Sequence, residues 1–326
     1  DPLGFFDDTY AFFQRVSRKV GGTLDKYYDL HGHVIRLSFA GTALIKISRA
    51  LAHWEVEPNG TPELTICLWD SADTKTRMLP PPWLGQQPPY TRRGEVHGYN
   101  TNRIRTAFQM GSDVLHLLDL QRGLAIYWNR DATHLPQWEI GSPLRIILHW
   151  WLHQFGLQYV HAGAVGTPEV GVLLVGKGGS GKSTTSLTCL NSDLNYVSDD
   201  YCLISTNSGP RAYNLYNTGK VRIDNLNRVP HLKSIISSID HHDQEKALFF
   251  LDQQLPEKLV PGFPIRAVLI PQVTGDVDTS LAPASVNAAL SGLTVSTMYQ
   301  LAGAGPAELK IMKDFVDQVP CFFLRL

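Results

Sequence analysis

The stretch Gly176-Lys-Gly-Gly-Ser-Gly-Lys-Ser-Thr184 carries the full spacing G-x-x-x-x-G-K-[ST], and the apolar run Val170-Gly-Val-Leu-Leu-Val175 precedes it. A buried strand feeding a glycine-rich turn that opens a helix, here expected over 183–190, is the local grammar of an α/β core. The residue types have a chemical use. Gly176, Gly178, Gly179 and Gly181, with Lys177 and Ser180 between them, present backbone N–H groups that can curl round phosphate oxygens. Lys182 reaches the outer phosphates, the Ser183 hydroxyl suits Mg²⁺, and Thr184 continues into a helix whose first turn adds its positive end. The pattern predicts a nucleoside triphosphate, ATP with Mg²⁺; a glycine-rich β-to-α turn without a ligand is the plain alternative.

The chain has 326 residues, more than the ~100–200 of a usual single domain, so two domains are expected. Acidic and basic residues nearly balance, 30 against 29, which lacks the electrostatic footprint of a nucleic-acid binder. The cysteines Cys67, Cys189, Cys202 and Cys321 are far apart and form no C-x-x-C pair, so neither a zinc knuckle nor a disulfide framework is indicated, and a reducing cytoplasm is the expected setting. The longest apolar candidate, Ile146 to Leu152, is far short of the ~20 residues that span a bilayer and contains His149, so no membrane anchor is expected. The opening at Asp1 rather than Met reads as a trimmed start.

Along the chain, the apolar positions Tyr10, Phe12, Phe13, Val16 and Val20 predict an amphipathic helix from Asp8 to Val20, stopped by Gly21-Gly22. A strand over 33–39, a helix over 43–53 and a strand over 63–69 follow. The proline-rich 79–90 reads as an extended loop, or else as a ligand lid or peptide-docking segment. Short strands are expected over 95–99, 103–109, 114–118 and 124–128. Residues 1–135 thus read as an α+β module with a largely antiparallel sheet, and 136–326 as an α/β nucleotide-binding domain. In the second part a helix is expected over 144–155, a core strand over 265–271 ended by Pro271, and closing helices over 291–299 and 307–319.

Around the loop, Leu157 to Val165 and Val170 to Val175 read as antiparallel strands joined by Gly166-Thr-Pro-Glu169. That hairpin sets His161 opposite roughly Leu174 to Gly176, at the mouth of the loop; a histidine packed and satisfied within the sheet is the other reading. Downstream, Asn195-Tyr-Val-Ser-Asp-Asp-Tyr-Cys-Leu-Ile204 carries the adjacent carboxylates Asp199 and Asp200. A right-handed crossover is expected to return this strand beside the loop's strand, with its C-terminal end facing the phosphates. Neighbouring strand residues face opposite ways, so one aspartate is expected to address the metal and the other an attacking hydroxyl, unless the pair is an acidic turn or cap.

His161-Ala-Gly, the loop Gly176 to Thr184 and the Asp199-Asp200 pair, in this order and spacing, resemble the catalytic core of HPr serine kinase/phosphorylases over about residues 144 to 230. That group shares its fold with phosphoenolpyruvate carboxykinases and is related to kinases of lasso-peptide precursors. The resemblance implies an α/β phosphate-loop core preceded by a smaller α+β domain. It implies Asp199 as the base for the acceptor hydroxyl, with His161 orienting it. Lys182 and Ser183 would handle phosphate and Mg²⁺, and Asp200 would help the metal. Such roles suit phosphoryl transfer, where positioning and charge neutralisation carry the catalysis. Homo-oligomers follow from the resemblance alone. The chain departs from the family after the aspartate pair: Tyr213 to Arg222 stands where those enzymes have a glutamate-containing, Arg-Gly-rich segment, so phosphorolysis and HPr as substrate are not expected.

In that segment Lys220 and Arg222 offer charge to a phosphate, or else form a solvated basic strand. His241-His-Asp243 reads as a metal site or a solvated loop, and Trp150-Trp151, between His149 and His153, as a packed helix face. The expected activity is transfer of a phosphoryl group from ATP to an alcohol, a serine of a peptide or protein or else a small molecule. A nucleotide-dependent sensor without transfer is the reading from a different class, and carboxykinase chemistry lacks identifiable further ligands.

Overall fold

The structure is a computed structural model that describes residues 1–85, 89–236 and 246–326. The chain is α/β and divides into two compact units, Asp1–Trp151 with Leu301–Gly303, and Leu152–Gln300 with Ala304–Leu326. The division thus follows Trp151 and not residue 135. Helix α2 (Arg145–Leu152) supplies the reason: Trp150 donates from Nε1 to the carbonyl of Ala302 at 2.7 Å, and Trp151 packs edge-on to His33, which holds most of this helix to the first unit.

The first unit is built on a seven-stranded sheet in the order β3-β1-β2-β4-β7-β6-β5. The strands are β1 (Leu24–Leu30), β2 (His33–Ala40), β3 (Glu55–Val56), β4 (Leu64–Asp70), β5 (Ile104–Gln109), β6 (Val114–Asp119) and β7 (Leu124–Asn129). The sheet is mixed: β4 runs parallel to both of its neighbours, β2 and β7, while the outer pairs are antiparallel. A central strand covered on both faces needs no polar side, which accounts for Leu-Thr-Ile-Cys-Leu-Trp in β4. Helix α1 (Pro2–Lys19) starts a turn and a half before the expected position because the Asp1 side chain caps it through the Gly4 N–H; Phe5, Phe6, Phe13 and Val16 are buried on its inner side.

Two expectations for this unit fail locally, and one strand stands where none was expected. The segment Ile45–Trp54 is a 3-10 helix and not an α-helix; its three-residue turn aligns Ile47 with Ala50 on the buried side. Residues 95–99 form only the single bridges Tyr90–Val96 and Glu95–Ala107, because Gly94 and Gly98 at φ 95° and 75° turn the chain out of an extended run. The unexpected strand is β1, in which Asp25 and Lys26 interrupt the apolar pattern; only Tyr28 and Leu30 are fully buried. The described part of the proline-rich stretch lines a cavity of about 530 Å³ through Leu79, Pro80, Pro81, Trp83, Leu84 and Tyr90.

The second unit contains β8 (Gln158–Val160), β9 (Gly163–Gly166), β10 (Gly171–Leu174), β11 (Asn195–Ser198), β12 (Cys202–Ser205), β13 (Arg211–Tyr213) and β16 (Gly262–Gln272), in the order β11-β9-β10-β16-β13-β12-β8. Strand β18 (Cys321–Arg325) extends it parallel to the end of β16, and β17 (Ser280–Pro283) pairs with β18. A separate ribbon joins β14 (Thr218–Arg222) to β15 (Lys246–Phe250). Helix α3 (Lys182–Thr188) follows the glycine-rich loop, and α4 (Val286–Met298) and α5 (Pro306–Val316) close the unit. Alternation along β10 sorts the core: Leu173 packs with Leu293, Met312 and Phe315, whereas Leu174 packs with Leu187, Val221 and Phe249.

The expected β9–β10 hairpin is present, with Gly163 paired to Leu174 and the turn closed by two hydrogen bonds between Thr167 and Val170. It also overturns one expectation. Because β9 occupies the edge of β10, β11 pairs antiparallel with β9 and reaches its parallel orientation to β10 one strand away, while the parallel neighbour of β10 is β16. Strand β16 runs through Pro271 to Gln272 instead of stopping at the proline. Among the described residues no helix is long and apolar enough to cross a membrane.

Candidate active site

The glycine-rich loop leaves β10 after Val175, whose N–H donates to the Leu269 carbonyl of β16 at 2.9 Å. Gly179 and Gly181 have φ of 80° and 105°, in the left-handed region where a side chain is strained, so the loop can take this path only with glycine there. The curled backbone encloses the Lys182 side chain, whose ammonium donates to the carbonyls of Gly176 at 2.7 Å and Lys177 at 3.3 Å. Burial lowers the pKa of Lys182, and the charges of Asp200 and then Asp199 oppose that shift. The Ser183 hydroxyl donates to the backbone carbonyl of Asp199 at 3.2 Å, which ties the loop to the end of β11.

The chain from 157 to 165 is broken at His161-Ala162. Strand β8 pairs with β12 on one side of the sheet, and β9 pairs with β10 and β11 on the other. The break turns His161 out of the ladder and toward the loop. Its backbone N–H donates to Thr297 Oγ1 of α4 at 3.0 Å, and Gln300 Nε2 lies 3.3 Å from Nδ1. A ring that accepts at Nδ1 carries its proton on Nε2, which stands 2.9 Å from Asp200 Oδ1. The Tyr201 ring lies against the imidazole at 5.0 Å, and its hydroxyl donates to Gln300.

Strand β11 ends at Ser198, and the two aspartates beyond it separate. Asp199 is 2% exposed; it accepts from the Tyr196 hydroxyl at 2.6 Å and from the Lys220 backbone N–H at 3.3 Å. Asp200 turns into a cavity of about 140 Å³, where His161 meets one carboxylate oxygen and the Lys220 ammonium meets the other at 2.7 Å. Residues 178–184 of the loop line the same cavity. Thus His161 pairs with Asp200, whereas the resemblance joined it to Asp199.

Charge separates the two carboxyls further. Burial, reinforced by the neighbouring Asp200 charge, pushes the Asp199 carboxyl up to about 6. Burial acts on Asp200 too, but Lys220 and His161 outweigh it and hold that carboxyl well below the usual range. A carboxyl that binds its proton more tightly folded than unfolded destabilises the fold as pH rises through the interval between the two values, here from ~4 to about 6. The penalty is complete above about 6 and amounts to roughly 3 kcal/mol at most. Asp199→Asn lacks this term, so its stability relative to the native chain is expected to rise between pH 4.5 and pH 7, as measured by urea unfolding at both values. Parallel pH profiles for the two proteins would refute the assignment.

Lys220 is buried on the cavity wall and is not a solvated strand residue; its ammonium also lies 5.7 Å from the Tyr201 ring centroid. Arg222 lines the cavity while pairing with Asp224 at 3.0 Å. Sequence reasoning missed Asn225, Arg228 and Lys246 on the same wall, and the supporting Tyr196, Thr297 and Gln300. Tyr196 sits in the run that carries the aspartates, which is its one signal in the sequence; the others carry no local pattern. Trp150 and Trp151 are buried as a packed helix face, and His241, His242 and Asp243 lie outside the described residues. Among the described residues no group of three or more His, Cys, Asp or Glu side chains could hold a metal ion.

No protein-family model matches the chain, and no curated protein matches it significantly in sequence.

Proposed function

We propose that the chain is an ATP-dependent kinase that moves the γ-phosphoryl group to an alcohol, with a serine of a peptide or protein as the acceptor class. The observation that carries this reading is that a glycine-rich loop with a buried lysine, a histidine–aspartate pair and Lys220 line one small cavity. Five cationic side chains, Lys182, Lys220, Arg222, Arg228 and Lys246, surround it with Asp200 the one carboxylate among the described lining residues, a balance suited to a polyphosphate.

In the reaction the acceptor oxygen attacks the γ-phosphorus, the bond from phosphorus to the β–γ bridging oxygen breaks, and ADP leaves. The acceptor proton passes to Asp200. His161 and Lys220 fix both oxygens of that carboxylate, so its orientation is set before the acceptor arrives. Asp199, buried under Tyr196 and the Lys220 amide, acts as a positioning residue. Asp200 thus takes the base role that the resemblance gives to Asp199. One donor fits Mg²⁺: the Ser183 hydroxyl spends its proton on the Asp199 carbonyl and keeps its lone pairs for a cation, whereas the two oxygens of Asp200 are held by His161 and Lys220. When bound, Mg²⁺ would neutralise phosphate charge; with so few protein ligands it would depend on phosphate and water oxygens.

The test is incubation with γ-labelled ATP, Mg²⁺ and a panel of serine-containing peptides and small alcohols. Label on one acceptor class is the expected result. Stoichiometric ATP binding with no transfer to any acceptor would favour a nucleotide-dependent sensor instead.

A further inference from the structure

The cavity at the phosphate loop is too small for a whole nucleoside triphosphate, and a second one adjoins it. This second cavity, of about 390 Å³, falls within the ~300–1,000 Å³ of small-molecule sites. The two share Gly181, Thr184, Arg228 and Val273. They meet at Gly181, where a Cβ would stand 3.3 Å from Leu326 and 3.9 Å from Val273, so glycine there lets the loop approach this wall closely.

The shared residues give the pair of cavities a direction. His161, Asp200 and Lys220 line only the first, whereas Thr185 and Thr188 of α3 and the following Cys189 line only the second. A triphosphate with its outer groups at Lys182 therefore passes its inner phosphate by Thr184 and Arg228. Val273 and Leu326 offer apolar surface for a base, and Asp276 offers a carboxylate for ribose hydroxyls. We infer that this second cavity holds the nucleoside half of the nucleotide, with the γ-phosphate directed at Asp200.

The inference rests on the nucleotide reading above, and inorganic tripolyphosphate separates the two because it has phosphates and no nucleoside. Thr188 is exposed and lines only the second cavity, so Thr188→Trp fills it without touching the loop. We expect the variant to bind Mg-ATP at least about tenfold more weakly while tripolyphosphate affinity stays within about twofold. A second readout needs no variant. Cys189 is partly exposed, whereas Cys67, Cys202 and Cys321 are buried, so iodoacetamide should modify Cys189 first, read by peptide mass. Burial raises the pKa of its thiol, so the reaction is run at alkaline pH. ATP is expected to slow that alkylation about tenfold or more, and tripolyphosphate to leave it unchanged. If both ligands bind the native protein but ATP neither protects Cys189 nor loses affinity in Thr188→Trp, the nucleoside lies elsewhere and the inference falls alone. If neither ligand binds, the phosphate-loop reading falls with it.

Discussion

Asp200→Asn is expected to lower the rate of phosphoryl transfer about 10³-fold while nucleotide affinity changes less than about threefold. The amide keeps the shape but loses the charge that His161 and Lys220 clamp at 2.9 and 2.7 Å, and with it the proton acceptor that we propose. Loss of that charge also frees the Lys220 ammonium from its ion pair, so binding of the polyphosphate does not weaken in step with transfer. Asp199→Asn is expected to cost about tenfold, since its carboxyl acts through Tyr196 and the Lys220 backbone. Single-turnover transfer and equilibrium ATP binding on both variants decide the matter. A larger loss of transfer in Asp199→Asn than in Asp200→Asn would return the base role to Asp199 and overturn the assignment drawn from the geometry. The native rate profile should therefore carry an acidic step of up to about tenfold near pH 6, where Asp199 takes up its proton, and the limb of Asp200 itself should lie below the ordinary pKa of an aspartate.

Gly163→Val is expected to destabilise the second unit by about 3 kcal/mol and lower its melting temperature by roughly 6–12 °C. A Cβ at this position would fall 2.4 Å from Ser186 Oγ of α3, 3.3 Å from the Ser198 carbonyl and 3.5 Å from Leu174 Cβ. Ser186 is fully buried, so it cannot swing aside into solvent, and α3 must shift away from β9. That shift moves the loop relative to His161 and Asp200, so transfer should fall even in molecules that remain folded. Gly178→Ala is the stability control: nothing lies within 4 Å of its added Cβ, and its effect should stay within about 0.5 kcal/mol. Calorimetry on both variants tests the pair, and a Gly163→Val melting point equal to that of Gly178→Ala would show that the close packing of α3 on β9 does not hold the loop.

The role of Gly163 also explains part of the motif in which it sits. His161-Ala-Gly163 reads in the sequence as a histidine with small neighbours; in the fold the histidine marks the break between β8 and β9, and the glycine marks the contact with the helix after the loop. Many strands and the long helices were legible because their apolar residues repeat at the period of the element, as in α1 and β2, or because an unbroken apolar run marks a buried strand, as in β7 and β10. The elements without a clear cue include β1, where Asp25 and Lys26 interrupt the apolar pattern near its start, while Ile45–Trp54 was legible as a helix but not as a 3-10 helix.

For the site itself, local chemistry determined the loop. Gly179 and Gly181 at positive φ and Lys182 folded back on the loop carbonyls follow from neighbours in the chain, and a motif is by nature local. The hairpin that brings His161 to the loop was likewise readable, because the Thr167–Val170 turn lies between two short apolar runs. Only the tertiary structure decided which aspartate faces the cavity. Residues 199 and 200 are chemically identical and adjacent, and they part because β11 ends at Ser198, Tyr196 and the β14 backbone claim one carboxyl, and His161 and Lys220 claim the other. Those partners come from 3 to 39 residues away, across the sheet and the β14–β15 ribbon. A carboxylate's charge and orientation are set by whatever packs against it in space, and spacing along the chain does not encode that.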